Sequence, residues 1–494
     1  MRKTIAVVKK DCYSYPQQVP FRPGTDYPEL QEPVGSEANP VYDMVRESLH
    51  LLGLDDEHYG TPAWNPLGGY ICTGNHVLLK PNLVMDVNAN AAGGTDCLYT
   101  QPAVVAAVLD YVLIALQGHG QIIIGDAPMQ ECNFVRLVEE SGYRQLVEHY
   151  QERLRGTDVT LKLVDFRELR STVHSGMRVS TTERYEYSGD GGTVVHLDHE
   201  SMFAGASQYT FDHIRITNYD PAILKRHHNA EVNEYKVARE ILDADVIINL
   251  PKPKTHRKGG VTISLKNLVG INCRKEYLPH HTNGAPSEGG DEYAHASRLK
   301  RCHDWLLDRR NYEMQTAKRY GRAWLYMQGV RVTGRLARYF AGDKYDEGSW
   351  YGNDTISRTI VDLNRILLYA DKDGNMQDKP QRRLFILADM IVAGEKEGPV
   401  APSPKDVGMI VAGDDPVCFD EAVATLMGAY IDKLPPLVRA RQVPGKYQIT
   451  AADSEPYLVS NDARYNEKQL SDLADTDLLY FVPVYSWQPA YRRR

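Results

Sequence analysis

Residues 249–272 read NLPKPKTHRKGGVTISLKNLVGIN, directly after the apolar triplet Val246-Ile247-Ile248. The triplet signals a buried strand, and a cationic loop follows it. Lys252, Lys254, His256, Arg257, Lys258 and Lys266 fall within fifteen residues, around Gly259 and Gly260. Cations at the carboxyl end of a buried strand are how an open α/β sheet meets an anionic ligand. The plain alternative is a solvated basic loop. Here the cations alternate with Pro, Thr, Asn and Gly instead of forming a simple charge run, which favours the ligand reading.

The same rhythm of strand, loop and helix recurs on both sides. Ile5–Val8 predicts a first strand, and His76–Lys80 a second that ends in Pro81-Asn82. Thr100 and Pro102 punctuate the start of an apolar helix through about Leu116. Ile122-Ile123-Ile124 is a further strand, broken by Gly125-Asp126. Tyr235–Leu242 reads as a short helix before the Val246 strand. Leu384–Ile391 and Val407–Val411 return to strand pattern, and an apolar helix runs from about Val417 to Met427. The fold class expected is α/β, with mostly parallel sheets covered by helices. Residues 171–210 read as an inserted β-hairpin. Residues 298–344, dense in Arg, Lys and aromatics, read as a basic helical insertion. The α/β core is then 1–297 and 345–435, and 436–494 reads as a C-terminal extension over the surface.

Composition narrows the function. With 494 residues, 42% of them hydrophobic and 25% charged, the chain has the make-up of a globular protein with a large core. A net charge of −8 excludes nucleic-acid binding as the main role. The seven cysteines, Cys12, Cys72, Cys97, Cys132, Cys273, Cys302 and Cys418, contain no CxxC pair. That spacing rules out a zinc ribbon and a clustered ferredoxin motif. Scattered thiols suit a reducing compartment, so a cytoplasmic location is expected. The amino-terminal apolar run is too short for a signal peptide, and no uncharged stretch is long enough to span a membrane.

Four strand ends carry polar residues: Lys80 with Asn82, Asp126, the 252–267 run, and Asp389. In a parallel sheet the carboxyl edges gather at one rim, so these groups can converge. Lysines suit a phosphate or carboxylate as point charges. Lysines crowded by other cations also lose protons readily, which suits proton abstraction or Schiff-base chemistry. Asn82, Thr262 and Asn267 can orient a ligand, and His256 can act as acid, base or ligand. Acids form the counterpart: Asp389, Glu397 and Asp415 are the candidate oxygen ligands for Mg²⁺ or Mn²⁺. Their ordinary alternative is capping of turns and helix starts. His280-His281 and His295 give only a weak transition-metal signal. The chain has no GxxxxGKS/T loop, no GxGxxG after a strand and no GxSxG elbow.

Several of these motifs together resemble a family. Ala244–His256 (ADVIINLPKPKTH) and Val261–Gly270 (VTISLKNLVG) are similar to the signature of the uncharacterised prokaryotic domain of unknown function 362 family. Leu79–Leu83 resembles its early motif, Gly125-Asp126 its second strand turn, and Ile386–Gly394, Glu397–Pro399 and Ile410–Asp420 its carboxyl-terminal half. The resemblance spans roughly residues 75–430. Members of that family often carry clustered cysteines for iron–sulfur centres. Their lack here makes an iron–sulfur cluster and the associated electron transfer a poor expectation. The resemblance names no reaction.

The functional expectation is an enzyme acting on an anionic, phosphorylated or carboxylated small molecule. Lys254, His256, Lys266 and Asp126 are its candidate catalytic residues. Lys80, Asn82, Lys252, Thr262 and Asn267 are its candidate ligand contacts. Two alternatives stand beside it: a scaffold that docks an acidic partner through 298–344, and a metal- or flavin-dependent redox protein.

Overall fold

The structure, a computed structural model, describes residues 1–174, 177–182 and 185–492. Its backbone is a large mixed sheet. Strands His76–Pro81, His119–Asp126, Asp158–Asp165, Val246–Leu250 and Arg383–Glu397 run parallel, with Val246–Leu250 between His76–Pro81 and Arg383–Glu397. Ala401–Gly413 then folds back antiparallel, and Arg2–Lys9 pairs antiparallel beyond it. The α/β class is therefore as expected.

Alternation along the strands explains why both faces are covered. Val77, Leu79, Ile122, Ile124, Val246 and Ile248 face one core, packed with the helices Pro40–Leu51, Pro102–Leu116 and Tyr143–Arg153. Leu78, Ile123, Ile247, Ile386 and Ala388 face the other, packed with Thr355–Tyr369 and Pro416–Leu426. A strand buried on both sides has to be apolar at every position, which is what the Val246-Ile247-Ile248 run supplies. The Pro102–Leu116 helix is apolar around nearly its whole circumference and accordingly buried, with Pro102 at its first turn.

Several segments differ from the sequence reading. Residues 436–494 do not simply wrap the surface: Glu455–Ser460 adds a strand parallel to Arg2–Lys9, and Trp487 is fully buried. A six-residue strand set among Pro, Tyr and Arg, between Arg2–Lys9 and the two-residue strand Lys468–Gln469, offers too short a pattern to read. Glu234–Ala238 is a strand paired with Gly192–His196, and helix begins only at Arg239. The alternation of Tyr235 and Val237 with polar residues won over helical spacing. The expected hairpin within 171–210 is present only in part. Arg170–His174 pairs with Met177–Thr182, and residues 175–176 and 183–184 of that reading lie outside the described residues. Residues within 298–344 form two helices, Arg298–Gln315 and Tyr320–Phe340. Among the described residues no helix is long and apolar enough to cross a membrane.

One buried ion pair ties four segments together at the carboxyl edge of the sheet. The Lys252 ammonium lies 3.0 Å from Asp389 Oδ2 and donates to the Tyr15 hydroxyl oxygen at 2.6 Å. Tyr15 in turn donates to the other Asp389 oxygen, and the Gln101 amide donates to Oδ2 at 3.0 Å. Lys252 and Asp389 have no solvent exposure. Asp389→Ala would strand a buried ammonium and should cost about 3–5 kcal/mol in urea denaturation. Replacing both partners, Lys252→Met with Asp389→Leu, should cost clearly less. Equal losses in the single and double variants would contradict this account of the clamp.

Candidate functional site

The carboxyl ends of His76–Pro81, His119–Asp126 and Val246–Leu250 open on a cavity of about 380 Å³. Its wall gathers Asn82, Asp126, His256, Lys258, Thr262, Lys266, Asn267, Lys275 and His280. A broader depression of about 960 Å³, between Lys405 and residues 475–492, collects far fewer titratable groups.

The basic loop reaches the cavity as a small hairpin. Lys254–His256 pairs antiparallel with Gly260–Thr262, so Lys254 faces Thr262 and His256 faces Gly260 across the ladder. Gly260 sits at φ 79°, and a Cβ there would come within 2.6 Å of Leu434 and 2.8 Å of the Trp487 ring. Only glycine fits. Trp487 donates its indole N–H to the Arg257 carbonyl at 2.7 Å, and Tyr491 donates to the Gly260 carbonyl at 3.1 Å. The C-terminal segment thus clamps the loop that carries the cations. The short helix Ser264–Asn267 follows, its first amides accepted by Asp420 at 2.8 and 3.1 Å.

Each residue singled out from the sequence has a definite place. Lys80 is buried behind the wall, 2.6 Å from Asp126 Oδ1, while Asp126 Oδ2 accepts the Leu83 amide at 2.8 Å. Burial lowers the Lys80 pKa, and Asp126 opposes that. Asn267 spends its amide on the Lys80 carbonyl, 3.1 Å, and on Asn249, 2.7 Å, so it braces the wall. Lys254 is also buried behind the wall. It donates to Asn82 Oδ1 at 2.8 Å and to the Leu98 carbonyl, and burial with neighbouring Lys252 brings its pKa down to about 7. Lys252 is held by Asp389 and does not line the cavity. Thr262 Oγ1 is buried at the wall, with no hydrogen-bond partner among the described residues.

The three candidate metal ligands do not converge. Asp389 is occupied by Lys252 and Tyr15. Glu397 is exposed on the same strand, eight residues and roughly 26 Å further along. Asp415 caps the Pro416–Leu426 helix, accepting the Val417 and Cys418 amides. Among the described residues no group of three His, Cys, Asp or Glu side chains is placed to hold a metal ion.

Neither Lys258 nor Lys275 is among the candidate catalytic or ligand residues expected from sequence, yet both line the cavity beside Lys266. Among the described residues, none of the three is ion-paired to a carboxylate. Lys258 donates to Thr217 at 3.1 Å and Lys275 to the Ala127 carbonyl at 2.9 Å. Burial brings Lys266 down to about 7, and the cations Lys275, Lys258 and Lys80 add to it. Burial likewise brings Lys258 and Lys275 down to about 8. Lys275 lies nine residues beyond Lys266, a spacing with no local periodicity, so only the fold brings it in.

Two histidines complete the wall. His256 Nδ1 accepts the Lys258 and Gly259 amides at 3.0 and 3.1 Å, which leaves the proton on Nε2. Burial and then Lys266 and Lys258 hold its pKa well below 6.5, so it is a fixed neutral donor rather than a base that titrates near neutrality. His280 donates from Nδ1 to the Leu278 carbonyl at 2.7 Å; burial and then Lys258 and Lys266 keep it neutral too.

Comparison with known proteins gives a family and little more. A family model described as "Domain of unknown function (DUF362)" matches residues 77–181 and 197–425. A curated relative, the thylakoid-associated protein sll1697 of Synechocystis, is 28% identical over 209 residues. That stretch is 42% of this chain and 42% of the relative, so the match spans less than half of either. A crystal structure of a protein from Thermotoga maritima aligns over 74% of this chain and 55% of that one, at 10% identity and a TM-score of 0.25, which is too loose to carry an argument.

Gly270 gives a test of how tightly the wall is built. A Cβ there would collide with Asp126 Oδ1 and lie 2.9 Å from Lys80 Nζ, whereas one at Gly259 would meet nothing closer than 3.7 Å. Gly270→Ala should cost about 1–3 kcal/mol in urea denaturation, and Gly259→Ala under about 1. Equal costs would mean that the Lys80–Asp126 pair yields freely.

Proposed function

This chain belongs to the domain of unknown function 362 family, and from that premise we propose that its cavity takes an anionic small molecule, phosphorylated or carboxylated, as an enzyme substrate. One observation carries this reading. Lys258, Lys266 and Lys275 line one cavity without a carboxylate partner among the described residues, at the strand ends where open α/β sheets bind ligands. Lys275 and Lys258 both push on Lys266; Glu347 and Asp126 on the same wall oppose the effect of burial at Lys258 and Lys275 without pairing them, and a bound anion would relieve all three. Thr262 Oγ1 and the His256 Nε2–H add neutral hydrogen-bonding capacity around the same space.

Proton transfer is the chemistry this arrangement supports best. Near pH 7 Lys258 and Lys275, with pKa values of about 8, stay mostly protonated and hold the anion. Lys266, at about 7, is neutral in a large fraction of molecules and can take a proton at Nζ. The free thiols of all seven cysteines suit a reducing cytoplasm as the setting.

Inorganic sulfate is a suitable probe, since its own charge is constant across the range. Binding needs the protonated lysines, so affinity should fall as pH rises through 7 to 8, by about tenfold or more between pH 6.5 and 9 in calorimetric titration. Affinity that is flat with pH would sink the reading. Lys258→Ala with Lys266→Ala should weaken sulfate and phosphorylated metabolites by about 10–100-fold in a thermal-shift panel.

A second outcome separates lost binding from lost folding. The folded-state pKa of Lys266 lies below its unfolded value of about 10.4, so the folded chain binds fewer protons between those pH values. The stability that this lysine removes therefore grows as pH falls from about 10 towards 7. Lys266→Met should keep or raise Tm at pH 7, by about 1–4 °C, while binding is lost. A Tm lowered at pH 7 would contradict the charge-repulsion account.

A further inference from the structure

The helix Tyr320–Phe340 carries a surface that the cavity does not explain. Of nineteen large hydrophobic side chains exposed among the described residues, nine lie between Trp305 and Phe340. Leu325, Val332, Leu336 and Tyr339 recur at intervals of seven, four and three, so they share one outward stripe. Trp324 is 52% exposed beside it, and Phe340 is 77% exposed at its end. The inward side is used up: Ala323, Met327 and Ala337 are buried, and Gly329 and Gly334 let Leu306 and His303 of the Arg298–Gln315 helix come close.

The charge around that stripe has one sign. Residues 314–342 hold Lys318, Arg319, Arg322, Arg331, Arg335 and Arg338 and no Asp or Glu, in a chain of net charge −8. We propose that this helical hairpin seats the protein on an anionic lipid bilayer, its apolar stripe entering the interface and its cations meeting the headgroups. An amphipathic helix with Trp, Leu and Phe on one side and Arg flanking it is built for that boundary. A second copy is a poor occupant: Arg319 and Arg322 lie 3.9 and 4.0 Å from Glu313, but facing stripes would still set Arg331, Arg335 and Arg338 of one copy against the same three of the other. The acidic remainder of the molecule is repelled by the same bilayer, which fixes the hairpin as the side that docks.

The seat also has a route to the cavity. On its inner side the Arg298–Gln315 helix holds the loop that forms part of the cavity wall: Arg310 donates to Asn218 at 2.6 Å and Asn311 to the Tyr219 carbonyl at 3.0 Å.

The test is sedimentation of the full chain with vesicles of mixed phosphatidylglycerol and phosphatidylcholine, and with phosphatidylcholine alone. The proposal expects binding to the mixed vesicles, little to the neutral ones, and strong weakening in high salt. Leu336→Asp, and Arg335→Glu with Arg338→Glu, lie on the exposed face and should leave Tm unchanged while lowering the bound fraction about tenfold. The proposal is overturned if neither vesicle retains the protein, or if the charge-reversed variant binds as the wild type does. It is equally overturned if Leu336→Asp instead dissolves a concentration-dependent dimer in light scattering.

Discussion

Burying or half-burying a lysine without pairing it to a carboxylate is the constraint on which this molecule turns. An ammonium taken from water loses its hydration, and it is tolerated only with a partner or with its proton partly surrendered. Both solutions occur within one short stretch of sheet edge. Lys80 has Asp126 and Lys252 has Asp389, each within 3.0 Å, and these pairs lock strand ends to loops. Lys258, Lys266 and Lys275 have no such partner, and they surround the cavity. The two ion-paired lysines belong to the scaffold, as does Lys254, buried against Asn82 and the Leu98 carbonyl; Lys258, Lys266 and Lys275 define the site.

The scaffold brings those three to the wall of one cavity. Parallel strands bring Asn82, Asp126 and the 254–262 hairpin to one rim. Asp420, far along the chain, caps the short helix from which Lys266 projects. Trp487 and Tyr491, almost at the end of the chain, grip the carbonyls of Arg257 and Gly260. A cation cluster costs folding energy, and these remote contacts are where that cost is offset.

Much of the sheet was legible from the sequence because its central strands are buried on both faces and therefore apolar throughout. The Val246 and Ile122 runs and the Pro102 helix could be read directly for that reason. The Glu455–Ser460 strand could not, since a short strand near the sheet margin, covered outside only by Lys468–Gln469, needs few inward residues. At the site, Asn82, Asp126, His256, Thr262, Lys266 and Asn267 were singled out and do share the cavity wall. Residue type and loop position suggested them. What sequence could not supply was pairing. Lys252 and Lys258 look alike in the chain, six residues apart, yet one is neutralised by Asp389 and the other faces the cavity. Lys275 and His280 arrive through tertiary packing alone.

The central claim is that the unpaired lysines form one anion seat. Anomalous diffraction from crystals soaked in tungstate, a tetrahedral dianion, addresses it most directly. The account predicts a peak inside the cavity, within hydrogen-bonding reach of Lys258, Lys266 and Lys275. An empty cavity, with tungstate only at the surface, would contradict it.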